Sequence, residues 1–170
     1  DALLCPTFAA LENLKREGIA NGVHHVGDVM YDAALFFGAL AEKQSRVLND
    51  FQLEPRRYFL STVHRAENTD DAVRLTGIMQ ALDELGSATP VLLPLHPRTR
   101  AALARMGAIE CADDAVVAGS RFPNIRFVPP LSFLDMVMLE KNARAILTDS
   151  GGVQKEAYFH GTPCVTLRDE

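Results

Sequence analysis

The segment TDSGGVQKEA, residues 148–157, follows the apolar run 145–147 and leads into residues whose apolar positions have helical spacing. This order predicts a buried strand, a tight glycine turn and a helix. Gly151 and Gly152 have no Cβ, so the backbone can adopt a positive φ and can approach a ligand closely. The segment therefore predicts a turn at which the main chain itself contacts a ligand.

The start of the predicted helix has the features of a phosphate site. Ser150 or Asp149 is placed to cap the helix. The unpaired N–H groups and the positive end of the helix dipole then point to one spot, where phosphate binds. Glu156 lies one turn further along, where its carboxylate can accept hydrogen bonds from ribose hydroxyls. An ordinary capped turn without a ligand is the alternative interpretation.

Composition narrows the class of protein. The chain has 170 residues, 48% of them hydrophobic, which suffices for one domain with a packed core. The net charge of −5 without a basic cluster argues against a nucleic-acid partner. Apolar runs are too short for a membrane helix, and no N-terminal signal pattern is visible. Three widely spaced cysteines favour a reducing cytoplasm over a disulfide framework, and Cys164 is predicted to be a core residue.

Strands and helices alternate along the sequence. Strands are predicted at 3–5, 25–27, 58–63, 90–95, 125–128, 145–148 and 164–167. Helices are predicted after Thr7, after Asp28, after Asp70 or Asp71 with Val73 among its inward apolar residues, from Pro97, and over 131–140 and 152–160. Apolar strands in this alternation indicate a parallel sheet covered on both faces, a doubly wound, Rossmann-like α/β domain. In such sheets, ligands bind outside the carboxyl ends of the strands.

Three polar clusters fall at predicted carboxyl ends of strands. They are His64-Arg65-Ala66-Glu67-Asn68, the segment 96–100 with His96, Arg98 and Arg100, and the turn 149–152. Parallel strands bring these ends to one edge, which predicts a site for a polyanion such as a diphosphate. Phe133 follows another strand end and is available to a nucleotide base. The alternatives are that His64 only bonds the backbone of its loop and that Arg100 belongs to a solvated helix face.

Several enzyme classes have no support in the sequence. It contains no P-loop, no Gly-x-Gly-x-x-Gly, no His-Glu-x-x-His and no Gly-x-Ser-x-Gly. The P-loop would indicate an ATPase and Gly-x-Gly-x-x-Gly a dehydrogenase. The motif His-Glu-x-x-His would indicate a zinc protease, and Gly-x-Ser-x-Gly an α/β-hydrolase. No cluster with metal-ligand spacing is present, and the sequence predicts neither a metal nor an organic cofactor.

Three motifs together resemble a known family. They are HRAEN at 64–68, DSGGVQKEA at 149–157 and GTPCVTLR at 161–168. The combination resembles the non-hydrolysing UDP-N-acetylglucosamine 2-epimerases, and shorter matches in the first 28 residues extend the resemblance over the whole chain. The segments 26–32, 96–100 and 166–170 look closer to members acting on UDP-2,3-diacetamido-glucuronate.

The resemblance implies a domain organisation. Members of the family have two Rossmann-like domains in the glycosyltransferase-B arrangement, with the nucleotide sugar between them. Residues 1–27 would end the N-terminal domain, and 28–170 would be the truncated C-terminal, UDP-binding domain. The chain, which starts inside an apolar segment and stops after a strand, is then a piece of a longer protein whose other part carries the acid/base carboxylates. The resemblance also implies a homodimer.

Site roles follow from the resemblance residue by residue. His64 would contact the diphosphate and assist its departure, and Glu156 would bind ribose. The remaining UDP contacts would come from Arg65, Phe133, Ser150, Gly151, Gly152 and Arg168. The implied reaction inverts C2 of the sugar by elimination and re-addition of UDP, and supplies UDP-N-acetylmannosamine-type sugars for surface polysaccharide. A glycosyltransferase of the same fold and a non-catalytic nucleotide-sugar module are the competing functions.

Overall fold

The structure is a computed structural model that describes residues 1–112, 115–117 and 121–169, with the side chains of 111, 112 and 115–117 left out. Its strands are β1 Leu3–Cys5, β2 Val23–His25, β3 Phe59–Thr62, β4 Val91–Pro94, β5 Glu110–Ala112, β6 Ala115–Val117, β7 Ile125–Val128, β8 Ala145–Thr148 and β9 Cys164–Thr166. Its helices are α1 Phe8–Arg16, α2 Val29–Gln44, α3 Val47–Asp50, α4 Ala66–Thr69, α5 Ala72–Gly86, α6 Pro97–Arg105, α7 Phe133–Asn142 and α8 Gly151–Phe159. The expected α/β alternation is confirmed.

The main sheet has five strands in the order β7-β4-β3-β8-β9, and every pairing in it is parallel. The chain moves outward from β3 through β4 to β7, then crosses back to place β8 on the other side of β3. The strand order therefore reverses between β3 and β8, and this switch point is where open α/β sheets bind ligands. The doubly wound, Rossmann-like class expected from the sequence is confirmed.

Side chains of the strands alternate between two apolar clusters, one on each face of the sheet. In β4, Val91 and Leu93 belong to the cluster that includes Leu75 and Met79 of α5. Leu92 between them belongs to the other cluster, with Leu139 of α7 and further residues of α3 and α8. This period of two, with apolar residues on both faces, explains why the strands read as continuous hydrophobic runs.

Helix starts follow the predicted caps. Side chains of Thr7, Asp28, Asp71 and Ser150 each accept a hydrogen bond from a backbone N–H in the first turn of α1, α2, α5 and α8. His96 is an unexpected cap, because its Nδ1 accepts from the Arg98 N–H at 3.2 Å at the start of α6. The short helix α4, between β3 and α5, was not predicted.

Two predicted core positions are wrong. Cys164 is exposed, because β9 is the last strand of the sheet and all three of its residues are exposed. Val73, predicted on the apolar face of α5, has 84% of its side chain exposed near the start of that helix. Strand β2 covers Val23–His25, two residues earlier than expected. No helix among the described residues has the length and hydropathy needed to cross a bilayer.

Candidate functional site

The polar loops after β3, β4 and β8 lie side by side, because these strands are neighbours at the switch point of the sheet. The rings of His64 and His96, which follow β3 and β4, have centroids 5.3 Å apart. Ser150 follows β8 and caps α8. The structure thus brings the predicted clusters to one edge, as the parallel-sheet argument requires.

Asp149 organises this edge, and its carboxylate is fully buried. Oδ2 accepts from the His64 N–H at 2.9 Å, the Arg65 N–H at 2.8 Å and the Asn68 Nδ2 at 2.9 Å. Oδ1 also faces the His64 N–H, at 3.1 Å. These donors compensate the buried charge, so Asp149 fixes the conformation of the loop that carries His64. The sequence placed Asp149 in the polar turn and at a possible helix cap, but its bonds to the loop of His64 were not predicted.

His64 is held in one orientation by the same carboxylate. Its Nδ1 lies 3.3 Å from Asp149 Oδ1, and this neighbouring carboxylate favours a proton on Nδ1. Burial lowers the pKa of His64 and the neighbouring His96 and Arg65 lower it further, whereas the Asp149 charge acts in the opposite direction. His64 is therefore neutral near neutral pH in the ligand-free site, and an anion arriving at Nε2 would favour its protonation.

The first turn of α8 is open to a ligand. Ser150 Oγ accepts from the Val153 N–H at 3.4 Å, and the Ser150 N–H donates to Thr148 Oγ1 at 2.9 Å. A Cβ added at Gly151 would meet no atom within 4 Å, and one at Gly152 would meet only Ser150 Oγ, at 3.7 Å. The space that these glycines leave therefore lies outside the protein core, in front of N–H groups that the helix itself does not use.

An apolar cavity of about 200 Å³ opens beside the two histidines. Its walls come from the ends of β3 and β4, the segment after β7, and the first turns of α7 and α8. They are Thr62, Val63, His64, Pro94, Leu95, His96, Pro130, Leu131, Met136 and Val153. A largely apolar cavity next to polar groups and a helix N-terminus is a suitable binding site for a base or a sugar ring joined to a phosphate.

Phe133, predicted to contact the base, is the first residue of α7. Its ring packs edge-on against Phe37 of α2, with centroids 5.0 Å apart, and is 53% exposed. The ring does not contribute to the wall of the 200 Å³ cavity, whereas the nearby Leu131 and Met136 do. The role of Phe133 in binding a base stays a prediction.

The two remaining predicted arginines lie at the same edge, and Glu156 lies in the second turn of α8. Glu156 is partly buried on α8, and burial raises its pKa. Arg65 is exposed beside His64. Arg168 follows β9, with its Nε 3.4 Å from Glu67 Oε1 in the loop after β3. Glu67 thus contacts a residue predicted to bind the nucleotide, a link that the sequence argument did not identify.

A polar chain ties residues 167–169 to the loop of His64. Asn68 donates from Nδ2 to Asp149 and to the Leu167 carbonyl at 3.0 Å, and its Oδ1 accepts from Arg74 Nε at 2.6 Å. Arg74 in turn pairs with Asp169 at 2.6 Å. Asn68 is fully buried and fixes the loop of His64, whereas its partners Asp149, Leu167 and Arg74 were not predicted from the sequence.

Arg98, predicted to face the polyanion, is engaged elsewhere. Its Nε donates to Thr69 Oγ1 at 2.9 Å and its NH2 group pairs with Asp70 at 2.7 Å. Arg98 therefore joins α6 to the end of α4. The described residues contain no group of three or more histidine, cysteine, aspartate or glutamate side chains able to hold a metal ion.

Comparisons with known proteins agree on one family for this chain. The family model described as UDP-N-acetylglucosamine 2-epimerase matches residues 1–170, so the chain belongs to that family. The UDP-2,3-diacetamido-2,3-dideoxy-D-glucuronate 2-epimerase of Pseudomonas aeruginosa is 44% identical over 175 residues, covering 100% of this chain and 44% of the relative. A UDP-N-acetylglucosamine 2-epimerase homolog of Methanococcus maripaludis is 45% identical, covering 98% and 44%.

Solved structures agree with the family assignment. The UDP-GlcNAc 2-epimerase of Methanocaldococcus jannaschii in complex with UDP-GlcNAc and UDP matches with a TM-score of 0.79 and 38% identity, covering 99% of this chain and 45% of that one. The chain spans less than half the length of the curated relatives it matches. Membership of the family is shown, and the activity of the complete protein is a matter for proposal.

Proposed function

We propose that this chain is the UDP-binding half of a UDP-sugar 2-epimerase. The observation that carries the proposal is the arrangement at the switch point of the sheet. There, the loop of His64, fixed by Asp149, faces the open first turn of α8 beside an apolar cavity. Support also comes from the family assignment and from a relative whose structure is in complex with UDP-GlcNAc and UDP.

The contacts expected from the resemblance form part of this proposal. The diphosphate binds at the N-terminus of α8, to Ser150, Gly151 and Gly152. Glu156, one turn later, accepts hydrogen bonds from the ribose hydroxyls. Uracil occupies the apolar cavity, and Phe133, which lines no part of it at present, contacts the base once UDP is bound. Arg65 and Arg168 add positive charge around the phosphates.

The reaction needs this half to stabilise a leaving group. A base removes the C2 proton while the C1–O bond breaks, which releases UDP and forms a glycal. UDP then adds back to C1, and C2 receives a proton on the opposite face. Protonated His64 donates from Nε2 to the diphosphate that carries the new charge, and its Nδ1–H remains on Asp149. The base and acid come from the other half of the protein.

The domain boundary, assembly and cellular role belong to the same proposal. Residues 1–27 end one Rossmann-like domain and 28–170 form the second, in a glycosyltransferase-B arrangement. Strands β1 and β2 form a two-stranded sheet of their own, which supports a boundary near Asp28. Asp28 also pairs with Lys155 at 2.7 Å and so ties the start of α2 to α8. The complete protein is a cytoplasmic homodimer that supplies sugars for surface polysaccharide.

Two substrates fit the proposal. UDP-N-acetylglucosamine is named in the family description and in most of the relatives. UDP-2,3-diacetamido-glucuronate is favoured by the relative at 44% identity over this whole chain. The two differ in the sugar and share UDP, so the UDP-binding half does not discriminate strongly between them.

The test is to incubate the complete protein with each nucleotide sugar in deuterium oxide and to follow C2 by NMR. We expect deuterium at C2 and the C2 epimer with one of the two sugars. Transfer of the sugar to an acceptor without deuterium at C2 would indicate a glycosyltransferase instead. UDP binding with neither reaction would indicate a binding module.

A further inference from the structure

A second histidine lies beside His64 at the edge of the sheet. His96 follows β4, and the two rings have centroids 5.3 Å apart, with an angle of 33° between their planes. Both side chains line the cavity of about 200 Å³. The function proposed above gives a task to His64 and none to His96, although the two rings border the same space.

Helix α6 fixes which ring nitrogen of His96 carries the proton. His96 caps this helix, and its Nδ1 accepts a hydrogen bond from the Arg98 N–H at 3.2 Å. A ring nitrogen that accepts a hydrogen bond uses its lone pair and carries no proton. The proton of His96 is therefore on Nε2, and this N–H is the group that the ring can offer to a ligand.

His64 is held in the opposite tautomer. Its Nδ1 lies 3.3 Å from Asp149 Oδ1, and this carboxylate favours a proton on Nδ1. The Nε2 of the neutral His64 ring is then an acceptor, and it donates to an anion only after His64 has gained a second proton. The two adjacent rings thus differ, because His96 is already a donor at Nε2 whereas His64 must first be protonated there.

The surrounding charges favour His64 as the ring that gains this proton. Asp149 lies against His64, whereas no carboxylate of the described residues forms an ion pair with His96. The carboxylate of Asp70 is paired with Arg98, at 2.7 Å. Two positive rings with centroids 5.3 Å apart would also repel each other. One proton, on His64, is therefore the stable arrangement of the pair when an anion binds.

We propose that His96 is a further ligand-binding residue of this site, which donates from Nε2 to the diphosphate as a neutral ring. His64 takes up a proton from solvent and donates to the same diphosphate as a charged ring. The diphosphate thereby gains two donors while the protein accepts one proton. The inference rests on the proposed function, because it assumes that the diphosphate of UDP lies at His64.

The first test separates the donor of His96 from its task as a helix cap. In the complete protein, His96→Asn keeps a capping acceptor at the place of Nδ1 but has no Nε2 donor. It should unfold in urea like the wild type and bind UDP about three- to tenfold more weakly by calorimetry, through the loss of one neutral hydrogen bond. Asp71→Asn is the matched control, because it also puts asparagine at a helix cap, that of α5. It should bind UDP like the wild type.

The second test is the ¹⁵N NMR spectrum of the histidine rings in the complete protein, with and without UDP. The nitrogen shifts report which ring nitrogens carry protons. We expect His96 to keep a bare Nδ1 and a protonated Nε2 in both states. We expect His64 to become doubly protonated when UDP binds. The signals that disappear in His96→Asn are those of His96.

The outcomes separate this inference from the proposed function. Unchanged UDP affinity of His96→Asn would reduce His96 to a helix cap, and a doubly protonated His96 in the UDP complex would refute the neutral donor. An equal loss of affinity for uridine, which has no phosphate, would also refute the contact with the diphosphate. In each case UDP binding by the wild type would stand. Absence of that binding would overturn the proposed function, and this inference with it. If His96→Asn does not fold, the wild-type NMR spectra decide.

Discussion

Replacing Asp149 by asparagine tests the central claim about the site, that one buried carboxylate holds the loop of His64. Oδ2 accepts three hydrogen bonds, from the His64 N–H, the Arg65 N–H and Asn68 Nδ2, at 2.9, 2.8 and 2.9 Å. An asparagine keeps these three only if its carbonyl oxygen takes the Oδ2 position. Its NH₂ group then replaces Oδ1 and faces the His64 Nδ1, which is 3.3 Å away in the wild type.

The expected cost can be worked from these bonds. A hydrogen bond to a charged acceptor contributes about 1 kcal/mol more than one to a neutral acceptor, and three such bonds lose that difference. The electrostatic contact with His64 Nδ1 is lost as well, which adds up to about 1 kcal/mol. The lower cost of burying a neutral amide offsets part of this sum. We expect Asp149→Asn to lower the free energy of unfolding by about 2–4 kcal/mol.

The assay is urea unfolding of the 170-residue chain followed by far-UV circular dichroism, since the chain has no tryptophan. Asp83→Asn is the matched control, because Asp83 also accepts from a backbone N–H and an amide, those of Asn124 at 2.7 and 3.2 Å, but does so at the surface. It should cost no more than about 1 kcal/mol. Equal costs for the two variants would refute the claim that Asp149 organises the edge.

Four further outcomes are expected. Gly152→Val should abolish UDP binding, because the larger side chain blocks the approach of the phosphate to the backbone. The variant should still fold, since a Cβ at this position meets only Ser150 Oγ, at 3.7 Å. Equal UDP affinities of wild type and variant by calorimetry would contradict this. His64→Ala in the complete enzyme should lower kcat about 10²-fold through lost stabilisation of the leaving diphosphate, and unchanged turnover of a folded variant would leave His64 a purely structural residue. The folded pKa of Glu140, about 8, exceeds its usual value of 4.5, so the wild type loses stability as pH rises from about 4.5 to about 8. Glu140→Gln should abolish that dependence, worth at most about 5 kcal/mol, in urea unfolding across this range, whereas parallel pH profiles would contradict it. This 170-residue chain alone should not exchange C2 hydrogen of UDP-N-acetylglucosamine, because a base must be positioned on the other wall of the cleft; deuterium incorporation above a protein-free control would place that base here.

The sequence predicted the sheet well because its strands are buried on both faces. Runs such as 91–95 are apolar without interruption, and the caps at Asp28, Asp71 and Ser150 have side chains that satisfy helix N–H groups locally. Such signals act over a few residues, so they are visible without the tertiary structure. Gly151 and Gly152 were predicted in a tight turn before the helix, but they are the first two residues of α8 and neither has a positive φ.

Features that depend on tertiary neighbours were missed. Cys164 and Val73 were expected in the core, but β9 lies at the end of the sheet and Val73 faces away from it. The acceptor role of Asp149 depends on donors more than 80 positions earlier in the chain. Glu140 is buried on α7 together with Val137 and Leu139, although an acid is not a residue type expected in the core. Propensity and periodicity carry no information of this kind.

The bonds of Asp149 also constrain the order of events during folding. They join residues 81 to 85 positions apart, and the β3–β8 pairing beside them closes a loop of similar length. Helices such as α5 can form early from local interactions. Closing a loop of this length, by contrast, loses chain entropy before the contacts that stabilise it are made. An intermediate that is rich in helix but lacks this closure would have neither the central strand pair nor the oriented His64. We therefore expect the chain to form its central strand pair and its ligand-binding edge in the same late step.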